Sequence, residues 1–296
     1  MYMEAINKYI LIMVLSILLA IKLPAVPEFD LDIQDTKING PVSAVTTFRN
    51  NLITYDGSRW RIDDTHVLSK NHFDLNGKIT EEWDFNNYEE SNGQLIWEYN
   101  NKGLLDLRSY TINKQYISMV RFVYTDKGAI DEILKFASNG AVIGNSKYQY
   151  NTDGKLTSIT DHDNAGTTTK LINYSYTKSG TKSCEETLWY GKDSARLIRL
   201  YDNNEFIYEA IGYKADKIIY HSYYKTDPNG VITAISKTFE ADTTRYDISY
   251  INDAYGNWTR KTVIIYITRN GYSVPGESYM DTRALNYRIF TAYSAG

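Results

Sequence analysis

Cysteine is all but missing from this chain of 296 residues: Cys184 stands alone. A lone thiol cannot close an internal disulfide, so packing and hydrogen bonds must hold the fold, and Cys184 reads as a small residue within a strand. Histidine occurs four times. None of His66, His72, His162 and His221 stands at metal-ligand spacing from another histidine or cysteine. Basic runs are absent and the formal charge is −4, which argues against nucleic acid and anionic membrane surfaces as partners. Nucleophile elbows and phosphate-cradling loops are absent too. The carboxylate pairs Glu81-Glu82, Glu89-Glu90 and Glu185-Glu186 are sequence neighbours. On a strand such neighbours point to opposite faces, so none is by itself the facing pair of a glycosidase. The cluster Asp161 to Gly166 lacks the ligands of a calcium loop, having Ala165 at the fifth place and Ile172 at the twelfth. No cofactor, metal site or catalytic residue is expected.

No apolar run is long enough to cross a bilayer as a helix, which takes about 20 residues. The longest, Ile10 to Ile21, follows Lys8 and ends at Lys22. It reads as the core of a signal peptide. Residues 1–25 are expected to be removed after Ala25 or Ala20, or else kept as an N-terminal anchor, the only membrane contact expected. Residues 26–37 then form a linker, and 38–296 a single repeat domain.

What the chain has in excess is tyrosine, 27 of them, and a periodic turn. An aromatic is followed by polar residues, glycine and, two places on, an aliphatic: Phe73 to Gly77 to Ile79, Tyr99 to Gly103 to Leu105. The turn glycines are Gly77, Gly103, Gly128, Gly154 and Gly180, with Glu205 in the next place and Gly230 and Gly256 after it. Self-similarity at such a period means a repeat array. A second turn recurs about half a period later, at Ser91-Asn92-Gly93, Ser138-Asn139-Gly140, Asp163 to Gly166 and Arg269-Asn270-Gly271. Two turns per repeat leave segments of strand length. Trp97 and Tyr99, Phe122 and Tyr124, Tyr148 and Tyr150, and Tyr174 and Tyr176 stand two apart, so each pair shares a strand face. Positions 79, 105, 130, 156, 182, 207, 232 and 258 form a mostly apolar, core-facing column. Asn50-Asn51 is a candidate degraded turn, and Ile38 to Val45 a lead-in strand. The fold class is all-β: about eight hairpins in a long, twisted or curled antiparallel sheet, on the order of 75 Å across if open.

Tyr150-Asn151-Thr152-Asp153-Gly154-Lys155-Leu156, Tyr201-Asp202 and Tyr255-Gly256-Asn257-Trp258 together resemble the tyrosine-aspartate repeat of RHS-type bacterial surface and secreted proteins. The resemblance covers roughly residues 70 to 265. Aspartate follows the aromatic only at Phe73-Asp74 and Tyr201-Asp202. What it implies is a β-hairpin scaffold, too short for the closed toxin shell of large RHS proteins, in the periplasm, at the outer surface or secreted. Anchoring at the inner membrane, facing outward, is the alternative. It implies a glycan or protein partner rather than catalysis. Trp97 and Trp258 fall in the core columns; Trp60, Trp83 and Trp189 do not, and are the candidate binding residues. A glycan-acting enzyme and an immunity-like blocker of a partner protein are the competing readings.

Overall fold

The computed structural model describes residues 38–54, 59–85, 91–192, 194–239 and 242–288. The expected signal segment and linker lie outside these residues. The strands are β1 (Val42–Thr54), β2 (Trp60–Phe73), β3 (Ile79–Phe85), β4 (Ser91–Tyr99), β5 (Leu105–Ile112), β6 (Gln115–Tyr124) and β7 (Ile130–Ala137). They continue as β8 (Val142–Tyr150), β9 (Leu156–Asp163), β10 (Thr168–Tyr176), β11 (Lys182–Trp189), β12 (Ala195–Tyr201) and β13 (Ile207–Lys214). The last are β14 (Lys217–Thr226), β15 (Ile232–Phe239), β16 (Asp242–Asn252), β17 (Trp258–Arg269), β18 (Tyr272–Pro275) and β19 (Ser278–Tyr287).

Each strand from β1 to β17 pairs antiparallel with the next, β17 also pairs with β19, and β19 pairs with β1. The sheet has 19 strands, of which β18 only prolongs the hairpin on β17, so 18 close a ring. This corrects the open, curled array of about sixteen strands, and with it the RHS-type scaffold that the repeat resembled. The physical reason for closure recurs once per repeat. At each periodic turn the register slips by a β-bulge, as at His72/Phe73, Glu98/Tyr99, Val123/Tyr124 and Gln149/Tyr150. The slip returns at Ser175/Tyr176, Leu200/Tyr201, Lys225/Thr226 and Ile251/Asn252. A bulge bends its strand and sharpens local twist. Further slips at Asp84/Phe85, Tyr110/Thr111, Lys135/Phe136, Thr168/Lys170 and Gly212/Tyr213 bend the wall near the other rim, and together these bends suit a sheet whose last strand meets its first.

The turns themselves are built alike. Asp74 accepts the amides of Asn76 (2.8 Å) and Lys78 (2.9 Å) on one carboxylate oxygen, and Gly77 donates to the Asp74 carbonyl. Asn100, Asn151, Asp202, Asp227 and Asp253 do the same in their repeats. The chain then needs a left-handed residue. Gly128 takes it at φ 81°, and Glu205 takes it without being glycine, at φ 64°. Neighbouring hairpins are tied by tyrosine. Tyr99 Oη donates to the Ile79 carbonyl (2.8 Å), Tyr124 to Leu105 (2.6 Å), Tyr150 to Ile130 (2.8 Å) and Tyr176 to Leu156 (2.8 Å). Lys78 and Lys155 pass over the rings of Tyr99 and Tyr176 to the carbonyls of Gly103 and Gly180.

Two expected turns are absent from their places. Asn50-Asn51 lies inside β1, where the Asn50 side chain bonds Met280 O and Thr65 Oγ1. Gly93 lies inside β4, in the space over which the Tyr110 ring folds.

Candidate functional site in the barrel lumen

Cross-strand pairing sorts the wall into two faces. One row runs Tyr148, Ile159, Ile172, Thr187, Leu197, Gly212 and Tyr220. The next runs Tyr174, Glu185, Arg199, Ala210, Ser222 and Lys237. These positions are buried or half-buried; Asn173, Glu186, Ile198, Ile211 and His221 between them are half-buried, and the two faces separate most clearly on β16 and β14. On β16, Arg245, Ser249 and Ile251 are exposed and Tyr246, Ile248 and Tyr250 are not. On β14, Tyr223 and Lys225 are exposed and Tyr220 and Ser222 are buried. Closing a sheet crowds side chains on its concave side, so the crowded face is the lumen.

The lumen wall is a polar and aromatic band. Asp161 meets Lys170 Nζ at 2.9 Å and Lys135 Nζ at 3.6 Å. Burial pushes its carboxyl upward, but Ser146, Lys170 and Lys135 overcome this and hold it below the usual range. Glu185 pairs with Arg199 and receives the Tyr201 hydroxyl. Burial, reinforced by the Glu185 charge, lifts Tyr174 to about 12 and raises Tyr201 as well. These phenols stay protonated at neutral pH and remain hydrogen-bond donors. Toward the seam the row becomes Lys261, Asp281, Arg49 and His66. Lys261 is 1% exposed and Asp281 3%. Arg49 grips Asp281 with two bonds of 2.9 Å.

The outer face also carries charge. Arg121, Lys147 and Arg196 are exposed on strands β6, β8 and β12. His221 pairs with Glu209 (2.5 Å) and Arg196 with Glu186 (2.5 Å).

The three candidate tryptophans are not brought together. Trp83 is on the outer face, edge-on to His72 with ring centroids 4.8 Å apart. Trp189 is in the lumen wall, packed against Leu197, Ala210 and Tyr220. Trp60 lines a cavity at one rim. All three are half-buried. No flat strip of exposed tryptophan exists among the described residues, and the array has no open sheet face. The reading as an envelope or secreted module that binds a glycan or protein partner on its sheet is thereby overturned, and so are its enzyme and immunity-like alternatives. Among the described residues no cluster of His, Cys, Asp and Glu could hold a metal ion, and no helix is long and apolar enough to cross a membrane. Sequence reading did not single out the band around Tyr174, Glu185, Arg199 and Tyr201. The signal was there: Glu185 and Arg199 fall on the face of the tyrosine columns.

No family model matches the chain, and neither does any curated protein. Solved structures do resemble it. A porin-like protein from Bacteroides uniformis ATCC 8492 is 13% identical over 85% of this chain and 99% of its own, with a TM-score of 0.45. The complex TcdB2-TccC3 is 12% identical over 83% of this chain, which spans only 15% of that one, at 0.36. A mutant of Rh. blastica porin is 10% identical over 82% of this chain and all of its own, at 0.22. At this similarity none of the three says what the chain does; closure rests on strand pairing alone.

Proposed function

We propose that this chain is a non-catalytic vessel: an exported, hollow β-barrel that admits solutes to a water-filled lumen. The observation that carries this reading is the closed ring with a single wall. Every pair of elements in substantial contact is a pair of neighbours in the ring. Eighteen strands at ~4.8 Å give a circumference of about 86 Å, hence a backbone diameter of at least about 27 Å. Side chains reaching inward leave a bore in the middle of a ring that wide.

The outer face sets where the vessel stands. A lysine or arginine on the lipid face of a barrel costs about 2–4 kcal/mol near the bilayer midplane. Arg121 and Lys147 alone would then cost about 4–8 kcal/mol, a large part of a domain's whole stability. These charges support a wall that stands in water. The ring size favours a second reading, since barrels of 16–18 strands also make membrane channels.

One set of measurements separates them. Purified without detergent, the chain should run as a monodisperse species and give no conductance steps in a planar bilayer; stepwise conductance would replace the vessel with the pore. In a Cys184→Ser background, Lys237→Cys in the lumen should react with N-ethylmaleimide but resist a bulky poly(ethylene glycol) maleimide. Ser249→Cys outside should react with both. Equal labelling of the two sites by the bulky reagent would remove the lumen as the working surface.

A further inference from the structure

At the rim opposite the periodic turns, the wall splits. Pairing of β1 with β19 stops at Leu52 and Ser278, and β18 pairs with β17 alone. The space that opens there is a cavity of about 1040 Å³. We propose that it binds a planar, largely apolar solute, neutral or singly cationic. Arg49 and Tyr246 in its lining face the lumen, so the proposal rests on the reading of an accessible lumen and names a ligand for one end of it.

Size, lining and charge point the same way. The volume is that of a site for a small organic ligand. Aliphatic groups from Leu52 and Ile267 and rings from Trp60 and Tyr246 make up much of the wall. Across from them the Arg49 guanidinium lies 4.0 Å over the Tyr279 ring, its charge held by Asp281. That stack presents a flat surface whose charge Asp281 partly offsets, and flat surfaces with aromatic neighbours select flat ligands. The exposed carboxylate in the lining is Glu277, which favours a positive group at the mouth and disfavours an anion.

The test uses N-phenyl-1-naphthylamine, a neutral, flat fluorophore, titrated into the intact chain. Saturable enhancement at one site per chain is expected. Trp60→Ala and Ile267→Lys should each weaken it about tenfold, while Trp189→Ala, elsewhere in the wall, should leave it unchanged. Anilinonaphthalene sulfonate, the anionic counterpart, should bind more weakly than the neutral dye. Thermal melts by circular dichroism keep folding separate from binding. If Trp60→Ala does not fold, Trp60→Phe and Ile267→Lys carry the comparison, with binding kept in the first and lost in the second. Absence of saturation, unchanged affinity in Ile267→Lys, or equal loss in Trp189→Ala would overturn the proposal. None of these outcomes bears on conductance or thiol labelling.

Discussion

The repeat wall and the seam solve the same problem with different chemistry. Across the repeats, four successive hairpins are joined by a copied device: a tyrosine hydroxyl to a carbonyl of the preceding hairpin, beside a turn capped by aspartate, asparagine or threonine. At the seam, β17, β19, β1 and β2 meet through groups that occur once. They are the buried Lys261, Asp281 and Arg49 row, and the knot of Asn39, Asp253, Asn257 and Tyr287. Arg288 reaches over β1 to the carbonyls of Phe73 and Asp74. The lesson is that a periodic wall is redundant and its closure is not. Losing one tyrosine bond leaves equivalent bonds on either side, whereas losing Asp281 removes the carboxylate that stands between the buried Lys261 and the half-buried Arg49.

The sharpest way to break this comparison is to remove one acid from each region. Asp281→Ala should cost the most in urea unfolding, about 3 kcal/mol, because a buried carboxylate beside the buried Lys261 is lost together with both Arg49 bonds. Asp161→Ala in the wall should cost less than half as much, because Lys135 and Lys170 are 35% and 32% exposed and neither is as deeply buried as Lys261 at 1%. Equal losses would mean that the seam is no special point of weakness.

The turns sharpen the comparison from within the repeats. Gly128→Ala should cost about 1 kcal/mol, the price of a left-handed backbone alone, since nothing lies near the added methyl. Gly230→Ala should cost more, because there the methyl runs into the Phe206 ring. If the two melt alike, backbone conformation alone decides the turns.

Smaller effects belong to the tyrosine ties. Tyr99→Phe, Tyr124→Phe, Tyr150→Phe and Tyr176→Phe should each lose about 0.5–1.5 kcal/mol and should resemble one another. Tyr287→Phe, whose hydroxyl meets both Asp253 and Asn257, should stand apart with a larger loss. A Tyr124 effect as large as that of Tyr287 would dissolve the distinction.

The smallest effect is in acid. Hydrogen bonds and lysines hold Asp161 low in the wall. At the seam, burial acts upward on Asp253, but the Tyr287 hydroxyl and the Asn257 and Tyr255 groups outweigh it. A lowered carboxyl contributes stability that is fully present above its unfolded value, about 3.9. That contribution fades as pH falls through the folded value. Unfolding midpoints measured from pH 5 downward should therefore drop, and Asp161→Asn should flatten the drop. A midpoint independent of pH would show that neither carboxylate matters.

Much of this molecule was legible in its sequence. The period, the turns at Gly77 to Gly256 and the shared face of Trp97 with Tyr99 follow from spacing, and local spacing is what sequence displays. Closure was not legible, because it depends on a bulge at each turn that adds no residue to the period. Asn50-Asn51 resembled a turn by composition, yet the Asn50 side chain is consumed in cross-strand bonds to β19 and β2 that only the closed ring supplies. Trp189 lay outside the column chosen at the turn glycines, but the lumen face extends the length of each strand, and Trp189 sits at its far end. The charged row at the seam joins residues more than 200 positions apart, Arg49 to Asp281, beyond the reach of any local pattern.

Because each repeat contributes one periodic turn and two strands, the array also works as a gauge. Adding one copy of 26 residues between Gly128 and Gly154 would lengthen the circumference by two strand spacings and widen the bore by about 3 Å. The seam chemistry would stay untouched. The diameter of such a vessel is then a counted quantity, set by copy number in whole steps rather than tuned side chain by side chain.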